Sequence, residues 1–277
     1  MAIRLVAVDM DGTLLNEEKK VTSRTQRAVH DAIAHGLDVV FCTGRTLCEC
    51  DEIIAALPEV RYLISSNGAR VWDLHENRIL TEHCFAPEHS LCLTERLLAF
   101  DGLIAVFTGT RITTCKGWEQ RAFDVFTPVI ARHTVKYYHP DEAQLDYAAG
   151  KHGAVEKIFC MFVSEAERDR AWDAVRDIPC DIVVSAADNL ELTEPGVNKG
   201  ASLAGLMERL GLVPEEVMAI GDSGNDVSML SYAGLPAAMG NADPQLKALA
   251  KLVLPTNEED GVAWALDRLT AGTLPQG

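Results

Sequence analysis

Short apolar segments alternate with helix-like segments through residues 5–65, and this alternation constrains the fold more than any other feature of the sequence. Leu5–Val8, Leu37–Cys42 and Tyr62–Ser65 are strand-sized and largely apolar, as expected of strands that are buried on both faces of a parallel sheet. Parallel neighbours need crossover connections, which are right-handed and are formed here by the intervening helices. The sequence therefore predicts an α/β fold with a doubly wound, mainly parallel sheet.

The ends of the first two predicted helices carry recognisable signals. Ser23-Arg24-Thr25-Gln26 has the spacing of a capping box, which predicts that Ser23 caps a helix. This helix is predicted to end at His35-Gly36, because glycine suits the left-handed position that follows a helix. The segment after Thr43-Gly44-Arg45 is predicted to form a second helix that stops at Leu57-Pro58.

The pattern changes between about Glu82 and Asp188 and returns afterwards. Strand and helix signals are mixed in this stretch, which indicates an inserted α+β unit over residues 83–188. Its predicted elements are strands Leu103–Thr108, Arg111–Lys116 and Val155–Val163 and helices near Leu91–Phe100 and Glu165–Arg176. The alternation resumes with helix Lys199–Leu210, strand Val217–Ile220, helix Asn225–Tyr232, strand Leu235–Met239 and helix Gly261–Leu269. Residues 1–82 and 189–277 are thus predicted to form one discontinuous domain.

Charge and cysteine content exclude several classes of protein. The 277 residues carry 25 Lys and Arg against 41 Asp and Glu, a net charge of −16, whereas binding a nucleic-acid backbone requires clustered cations. No apolar run approaches the roughly eighteen residues that span a bilayer, and the first residues lack the pattern of a signal peptide. The 8 cysteines contain no C-x-x-C pair and are expected to be reduced thiols of a cytoplasmic protein.

Ligands of open α/β sheets bind at the carboxyl ends of the strands. In this sequence those positions, together with the start of one predicted helix, hold carboxylates, a hydroxyl, an amide and an ammonium group. The residues are Asp9, Asp11, Thr43, Lys199, Asp222, Asn225 and Asp226. This set of groups favours phosphoryl transfer.

Phosphoryl transfer gives most of these groups a role. Mg²⁺ prefers hard oxygen ligands, which Asp9 and Asp222 can supply. An aspartate such as Asp9 can attack phosphorus and form an acyl-phosphate. Asp11 can protonate the leaving oxygen and later take a proton from water. Lys199 and Thr43 would hold the phosphate oxygens, where stabilisation of charge contributes most.

Four segments, in chain order, resemble the motifs of the haloacid dehalogenase superfamily: Asp9-Met10-Asp11-Gly12-Thr13-Leu14-Leu15, Thr43-Gly44-Arg45, Lys199-Gly200 and Gly221-Asp222-Ser223-Gly224-Asn225-Asp226. The resemblance narrows to its Cof-like phosphatases with a type 2B cap, which include broad-specificity bacterial sugar phosphatases. Further matches are Ser66-Asn67-Gly68-Ala69, Glu194-Pro195-Gly196-Val197-Asn198-Lys199-Gly200, Met239-Gly240-Asn241-Ala242 and Asn257-Glu258-Glu259-Asp260-Gly261-Val262-Ala263. The resemblance implies a Rossmann-like core and an inserted α+β cap.

The resemblance also implies roles for individual residues. Asp9 matches the nucleophile and a metal ligand, Asp11 the general acid/base whose backbone carbonyl also binds Mg²⁺, and Asp222 a further metal ligand. The implied phosphate-binding residues are Met10, Thr43, Gly44, Lys199 and Asn225, and the implied supporting residues are Asp226, Arg45 and Asn67. Two of these stay open: Arg45 could simply pair with an acid near the site, and Asn67 could serve only as a left-handed turn before Gly68, or either residue could contact the substrate or shape the site.

The expected function is Mg²⁺-dependent hydrolysis of small phosphorylated metabolites, sugar phosphates first among them. No nucleic-acid or membrane partner is expected. The sequence does not indicate whether the protein is a monomer or an oligomer. A sugar phosphomutase is the alternative, and it would need a second phosphate site among the basic residues of the insert, which include Arg111, Lys116, Arg121, Arg132, Lys136, Lys151 and Lys157. A non-catalytic sensor of phosphorylated metabolites is a third hypothesis. A serine hydrolase is disfavoured because G-x-S-x-G around Ser223 would need glycine at position 225.

Overall fold

The computed structural model describes residues 2–109, 111–114, 137–184 and 187–274. The chain forms two compact units. The first consists of Met1–Arg45, Cys50–Glu82 and Asn198–Gly277, and the second of Thr46–Glu49 and His83–Val197. Within the described ranges, none of the helices combines the length and apolarity that crossing a membrane would require.

An eight-stranded sheet forms the centre of the first unit. In spatial order its strands are β14 (Leu252–Val253), β13 (Leu235–Ala238), β12 (Val217–Gly221), β1 (Leu5–Asp9), β2 (Asp38–Cys42), β3 (Tyr62–Ser65), β4 (Arg70–Asp73) and β5 (Arg78–Glu82). Strands β14 through β3 are parallel neighbours, which confirms the predicted α/β class and the mainly parallel sheet. Strand β1 pairs with β12 on one side and β2 on the other, so the strand order reverses at β1. Ligands of such sheets bind at this reversal point.

Strands β4 and β5 form an antiparallel hairpin at one end of the sheet, which the sequence analysis did not predict. The hairpin turns at Asn77, whose φ is +46°, and asparagine tolerates this left-handed region better than most residues do. The alternation signal of this segment is weak because β4 is buried along its whole length.

Helices Ser23–Ala34, Asp51–Ala56, Lys199–Leu210, Val227–Tyr232, Pro244–Leu249 and Gly261–Thr270 complete the first unit. Helix Ser23–Ala34 packs against Gly261–Thr270, and Lys199–Leu210 packs against Val227–Tyr232. These amphipathic helices bury the apolar faces of the sheet, as the doubly wound architecture requires. The segment before Asp51–Ala56 is a short 3-10 helix, Leu47–Cys50, instead of the start of one longer helix.

The predicted start of the first helix is displaced by one residue. Thr22, not Ser23, is the N-cap: its backbone is extended, and its hydroxyl accepts a hydrogen bond from the N–H of Thr25. Both residues have a capping hydroxyl, and the sequence alone does not decide between them. At the other end Gly36 has a φ of +88°, which matches the expected left-handed residue after the helix.

The second unit contains a six-stranded sheet. Its strands in spatial order are β10 (Asp181–Val183), β11 (Asn189–Thr193), β9 (Lys157–Phe162), β6 (Gly102–Phe107), β7 (Ile112–Thr114) and β8 (Tyr138–Pro140). All described neighbours are antiparallel except β7 and β8. Helices Pro87–Leu97, Gln144–Ala148 and Glu165–Val175 belong to this unit. Its core contains Leu93, Ile104, Ile158 and Leu190, so the insert has its own hydrophobic centre.

The boundary predicted between residues 188 and 189 differs from the division that the structure shows. Strand β11 pairs with β9, and the second unit therefore extends to Val197. Leu190 and Leu192 face the core of that unit, but an apolar strand gives no sign in the sequence of which sheet it joins. Of the predicted strand Arg111–Lys116, residues 115 and 116 lie outside the described part, as do Arg121, Arg132 and Lys136.

Candidate active site

Four charged side chains meet at the carboxyl ends of β1 and β12, which are adjacent parallel strands. Asp9 is the last residue of β1, and Asp222 follows β12 directly. Asp226 ends a short 3-10 turn, and Lys199 is the first residue of its helix. Carboxylate oxygens of the three aspartates lie within 4.8 Å of one another. The structure thus brings together these four predicted residues.

Lys199 is fully buried between two of these carboxylates. Its Nζ donates hydrogen bonds to Oδ1 of Asp9 at 2.5 Å and to Oδ1 of Asp226 at 2.7 Å. Burial lowers the pKa of Lys199, but the two carboxylates outweigh it and the net pKa lies above the ordinary lysine value. The helix begins here because the side chain of Asn198 accepts the N–H of Ala201 at 2.8 Å. Lys199 is therefore held as a cation in a fixed position.

Asp226 connects Lys199 to the loop that carries Asp222. Its Oδ1 accepts from Lys199, and its Oδ2 accepts the backbone N–H groups of Asp222 at 3.0 Å and Ser223 at 3.1 Å. Both oxygens of this fully buried carboxylate are thus engaged. Asp226 therefore fixes the position of the loop that carries Asp222, in accord with the supporting role that the resemblance implies.

The positive charge near Asp9 and Asp222 does not balance their negative charge. Burial, together with the charge of Asp226, raises the pKa of Asp9 well above its ordinary value despite the nearby Lys199. Burial also raises the pKa of Asp222, although the hydroxyl of Thr13 donates to its Oδ1 at 2.9 Å and opposes the shift. Three carboxylates therefore meet beside one ammonium group, which bonds to only two of them. Because these donors are hard oxygens with excess negative charge, the set fits a divalent cation of the Mg²⁺ type.

Asp11 lies apart from this cluster and is held by two cations. Arg45 donates from Nε to Oδ2 at 2.7 Å and from Nη2 to Oδ1 at 2.8 Å, and Lys19 donates to Oδ1 at 3.0 Å. Burial raises the pKa of Asp11, but the hydrogen bonds and charges of Arg45 and Lys19 outweigh it and hold the pKa below the usual range. Asp11 is therefore ionised in this arrangement. Arg45 pairs with an acid, as one of the two open interpretations of this residue predicted.

Thr43 holds the predicted phosphate-binding turn with one side-chain and one main-chain hydrogen bond. The hydroxyl of Thr43 accepts the N–H of Arg45 at 3.1 Å, and the carbonyl of Thr43 accepts the N–H of Asn67 at 2.9 Å. Asn67 has a φ of +56°, and its Oδ1 accepts from Nδ2 of Asn225 at 3.1 Å. A Cβ on Gly44 would lie 3.2 Å from Oδ1 of Asn67, a tight approach. Asn67 thus combines a left-handed turn with a side-chain contact to a predicted site residue.

Met10 is placed differently from the other predicted phosphate-binding residues. Its side chain is completely buried, with its Sδ 3.9 Å from Sγ of Cys50. Any contact of Met10 with a phosphate group would therefore involve its main chain.

Four residues near the site had no assigned role in the sequence analysis. Thr13 binds Asp222, Lys19 binds Asp11, and Asn241 and Asn257 donate to the carbonyls of Gly12 and Leu15. Thr13, Asn241 and Asn257 lie in motifs that carry the family resemblance, so a signal was present for them. No sequence signal pointed to Lys19, because its position depends on the turn that hydrogen bonds between Asn16 and Lys20 close.

Gly12 is the position in the Asp9–Leu15 loop where glycine is required. Its φ is +81°, and a Cβ there would lie 2.4 Å from Oδ2 of Asp222. We expect Gly12→Ala to abolish most activity and metal binding because it displaces that carboxylate. Gly36→Ala is the matched control, since Gly36 has a φ of +88° and a Cβ added there would have nothing within 4 Å. Backbone strain should lower the unfolding free energy of each variant by about 1–2 kcal/mol. Equal losses of activity in the two variants would mean that strain, and not displacement of the Asp222 carboxylate, is the cause.

Comparisons with known proteins agree with the geometry. Residues 6–266 match the family of haloacid dehalogenase-like hydrolases. The chain is 32% identical over 269 residues to 5-amino-6-(5-phospho-D-ribitylamino)uracil phosphatase YcsE of Bacillus subtilis, covering 95% of this chain and 94% of that protein. It is 33% identical over 269 residues to the HMP-PP phosphatase of Yersinia pseudotuberculosis, covering 94% and 93%. A haloacid dehalogenase-like hydrolase from Bacteroides thetaiotaomicron superposes with a TM-score of 0.83 at 26% identity, covering 96% and 99%.

The chain belongs to the haloacid dehalogenase-like hydrolases. It is an enzyme of the phosphatase type, as its Cof-like relatives are. The resemblance inferred from the four motifs is thereby confirmed.

Proposed function

We propose that the protein is a Mg²⁺-dependent phosphomonoesterase that acts on small phosphorylated metabolites, sugar phosphates in particular, through a phosphoaspartate on Asp9. The observation that carries the proposal is the position of Asp9. Its carboxylate lies at the end of β1, with one oxygen bound by the buried Lys199 and with Asp222 adjacent. A nucleophile for phosphorus needs this combination of fixed orientation and neighbouring positive charge.

The reaction proceeds in two displacements. In the first, an oxygen of Asp9 forms a bond to phosphorus as the bond to the ester oxygen breaks, and that oxygen receives a proton from Asp11. In the second, a water oxygen forms a bond to phosphorus as the bond between phosphorus and the Asp9 oxygen breaks, and Asp11 accepts a proton from the water. Inorganic phosphate leaves, and Asp9 is a free carboxylate again. Lys199 stays charged throughout and stabilises the oxygens around phosphorus. Mg²⁺, held by Asp9 and Asp222, would neutralise charge on the phosphate when bound.

Asp11 has to change its protonation state during this cycle. Arg45 and Lys19 favour the carboxylate, which is the form needed to accept a proton from water. The first displacement needs the acid form, so its proton must be gained against these two cations. Leaving groups that depart without protonation should depend less on Asp11 than alcohols do.

The similarity to known phosphatases supports a small organic phosphate as the substrate. The relative from B. subtilis is named for a substrate that carries its phosphate on a ribityl chain, and the Yersinia relative is named for a different compound. Their identities to this chain are nearly equal, so neither compound is assigned to it. A phosphate on a sugar-like carbon chain is the substrate class we propose.

The phosphomutase alternative gains no support from Arg111, Lys151 and Lys157, the described members of the basic set named for it. Arg111 pairs with Asp141 at 3.3 Å, Lys151 with Asp146 at 2.6 Å, and Lys157 lies 3.7 Å from a carboxylate oxygen of Glu191. A second phosphate would have to compete with a carboxylate at each of them. A sensor function is disfavoured because the structure keeps Asp9, Asp11 and Lys199 in hydrogen-bonded positions.

Phosphate release from a panel of sugar phosphates, nucleotides and cofactor phosphates tests the proposed function. We expect turnover of several sugar phosphates with Mg²⁺ and its loss in excess chelator, because Asp9 and Asp222 then repel the phosphate dianion. Readdition of Mg²⁺ should restore the rate, which separates metal removal from irreversible damage. Full activity in chelator, or conversion of a sugar phosphate to a positional isomer without phosphate release, would refute the proposal.

A further inference from the structure

Two asparagine side chains connect the Asp9–Leu15 loop to distant parts of the chain. Nδ2 of Asn241 donates to the carbonyl of Gly12 at 2.8 Å, and Nδ2 of Asn257 donates to the carbonyl of Leu15 at 2.9 Å. Oδ1 of Asn241 accepts the backbone N–H of Asn257 at 3.1 Å. The two side chains, which we call the asparagine brace, therefore form one connected unit that holds the loop at two points.

Two of the loop's own backbone hydrogen bonds are long. The N–H of Thr13 lies 3.3 Å from the carbonyl of Met10, and the N–H of Leu14 lies 3.2 Å from the carbonyl of Asp9. Both distances are at or beyond the long end of the range for N–H···O bonds. Only the bond from Leu15 to Met10, at 2.9 Å, has the usual length. The brace supplies two bonds of ordinary length to the same short segment.

The segment that the brace holds lies directly beside proposed catalytic and metal-binding groups. Asp11 precedes Gly12, and the hydroxyl of Thr13 donates to Asp222. Gly12 itself lies so close to Asp222 that a Cβ would overlap its carboxylate. A shift of the Gly12 carbonyl would therefore move Asp11, Thr13 and the contact with Asp222 together.

We infer that Asn241 and Asn257 are positioning residues for the reaction: their amide groups fix the Gly12–Leu15 loop so that Asp11 and Asp222 keep the places the chemistry needs. This inference rests on the proposed function and extends it to two residues that touch neither the nucleophile nor Lys199 through any described hydrogen bond. A role in folding alone would also use these bonds, so the test must separate positioning from stability.

Isosteric substitution removes the donors one at a time. Asn241→Asp and Asn257→Asp each replace Nδ2 with oxygen, which faces a carbonyl, while Oδ1 is kept. The matched control is Asn16→Asp, directly after the loop that the brace holds, because Oδ1 of Asn16 accepts the N–H of Lys20 at 2.9 Å and needs no donor. All three variants add one negative charge, so differences between them do not come from charge count.

The readouts are kcat and KM for phosphate release, Mn²⁺ affinity by calorimetry, and unfolding in urea. We expect both brace variants to lower kcat about tenfold or more, since small misplacements of reacting groups have effects of this order, with KM changed far less. The double variant should lose little more than either single one, because the two side chains form one unit. Asn16→Asp should keep the wild-type kcat.

Mn²⁺ affinity keeps the test independent of turnover. An added negative charge by itself strengthens cation binding, so a several-fold loss of affinity in the brace variants, against none in Asn16→Asp, would report displaced ligands. Brace variants with wild-type kcat and unweakened Mn²⁺ binding would overturn the inference. A wild-type chain that releases no phosphate would instead contradict the proposed function, and the Mn²⁺ comparison would still decide on the brace.

Discussion

Asp9→Asn is expected to abolish phosphate release while leaving the fold intact. The neutral amide has the shape of the carboxylate, but its oxygen is a poor nucleophile and forms no acyl-phosphate. Removal of a nucleophile of this kind costs about 10⁴-fold or more in kcat. Steady-state assays on the best substrate of the panel measure the loss.

The stability of Asp9→Asn should not fall with its activity. Asp9 is buried with an excess of negative charge around it, and its pKa is raised for that reason. Neutralising it relieves repulsion with Asp222 and Asp226, while Lys199 keeps its bond to Asp226. The unfolding free energy should therefore be no lower than that of the wild type. The exposed Asp31→Asn serves as a control with normal activity, and an active Asp9→Asn enzyme would rule out Asp9 as the nucleophile.

Lys199→Met is expected to have the largest effect on stability. It removes the ammonium group that two buried carboxylates share. Removing one partner of a buried ion pair costs about 3–5 kcal/mol, because the remaining charge is left without compensation. Urea unfolding in the presence of chelator measures this cost without help from a bound cation. Lys20→Met is the control, since Lys20 is largely exposed and pairs only with the exposed Glu18 among the described contacts of its side chain.

The stability loss of Lys199→Met should depend on pH with a definite sign. Without the cation, the folded-state pKa of Asp9 rises further above its unfolded value. A carboxyl group with a raised folded pKa destabilises the fold at neutral and higher pH, and the penalty disappears as pH falls towards the unfolded pKa of about 4. The deficit relative to wild type should thus be largest near pH 8 and smallest near pH 5. A loss independent of pH would mean that Lys199 stabilises the core by packing alone.

The positions of the main site residues could be predicted because they follow strands. Asp9, Thr43 and Asp222 each come directly after an apolar segment that forms a parallel strand, and topology alone brings such positions to one edge of a sheet. Lys199 is placed at a helix start by the predicted helix Lys199–Leu210, which the structure contains. Nothing in the sequence, however, required its Nζ to bridge Asp9 and Asp226, since that contact depends on how the helix packs.

Other features depended on long-range contacts that leave little local signal. Lys19 reaches Asp11 only through the geometry of its turn, and the brace pairs Gly12 and Leu15 with residues far along the chain. The assignment of β11 to the second sheet likewise depends on its pairing with β9. Periodicity reports how a segment is buried, not which partner buries it.

If phosphate passes through Asp9, the enzyme itself carries a phosphoryl group between the two displacements. In an Asp11→Asn variant, p-nitrophenyl phosphate needs no acid for its leaving group, but water lacks its base in the second step. We predict that a phosphoryl group accumulates and that tandem mass spectrometry after rapid acid quench locates it on Asp9. Nitrophenol release without a phosphoryl group on the enzyme, or with one on another residue, would contradict the account.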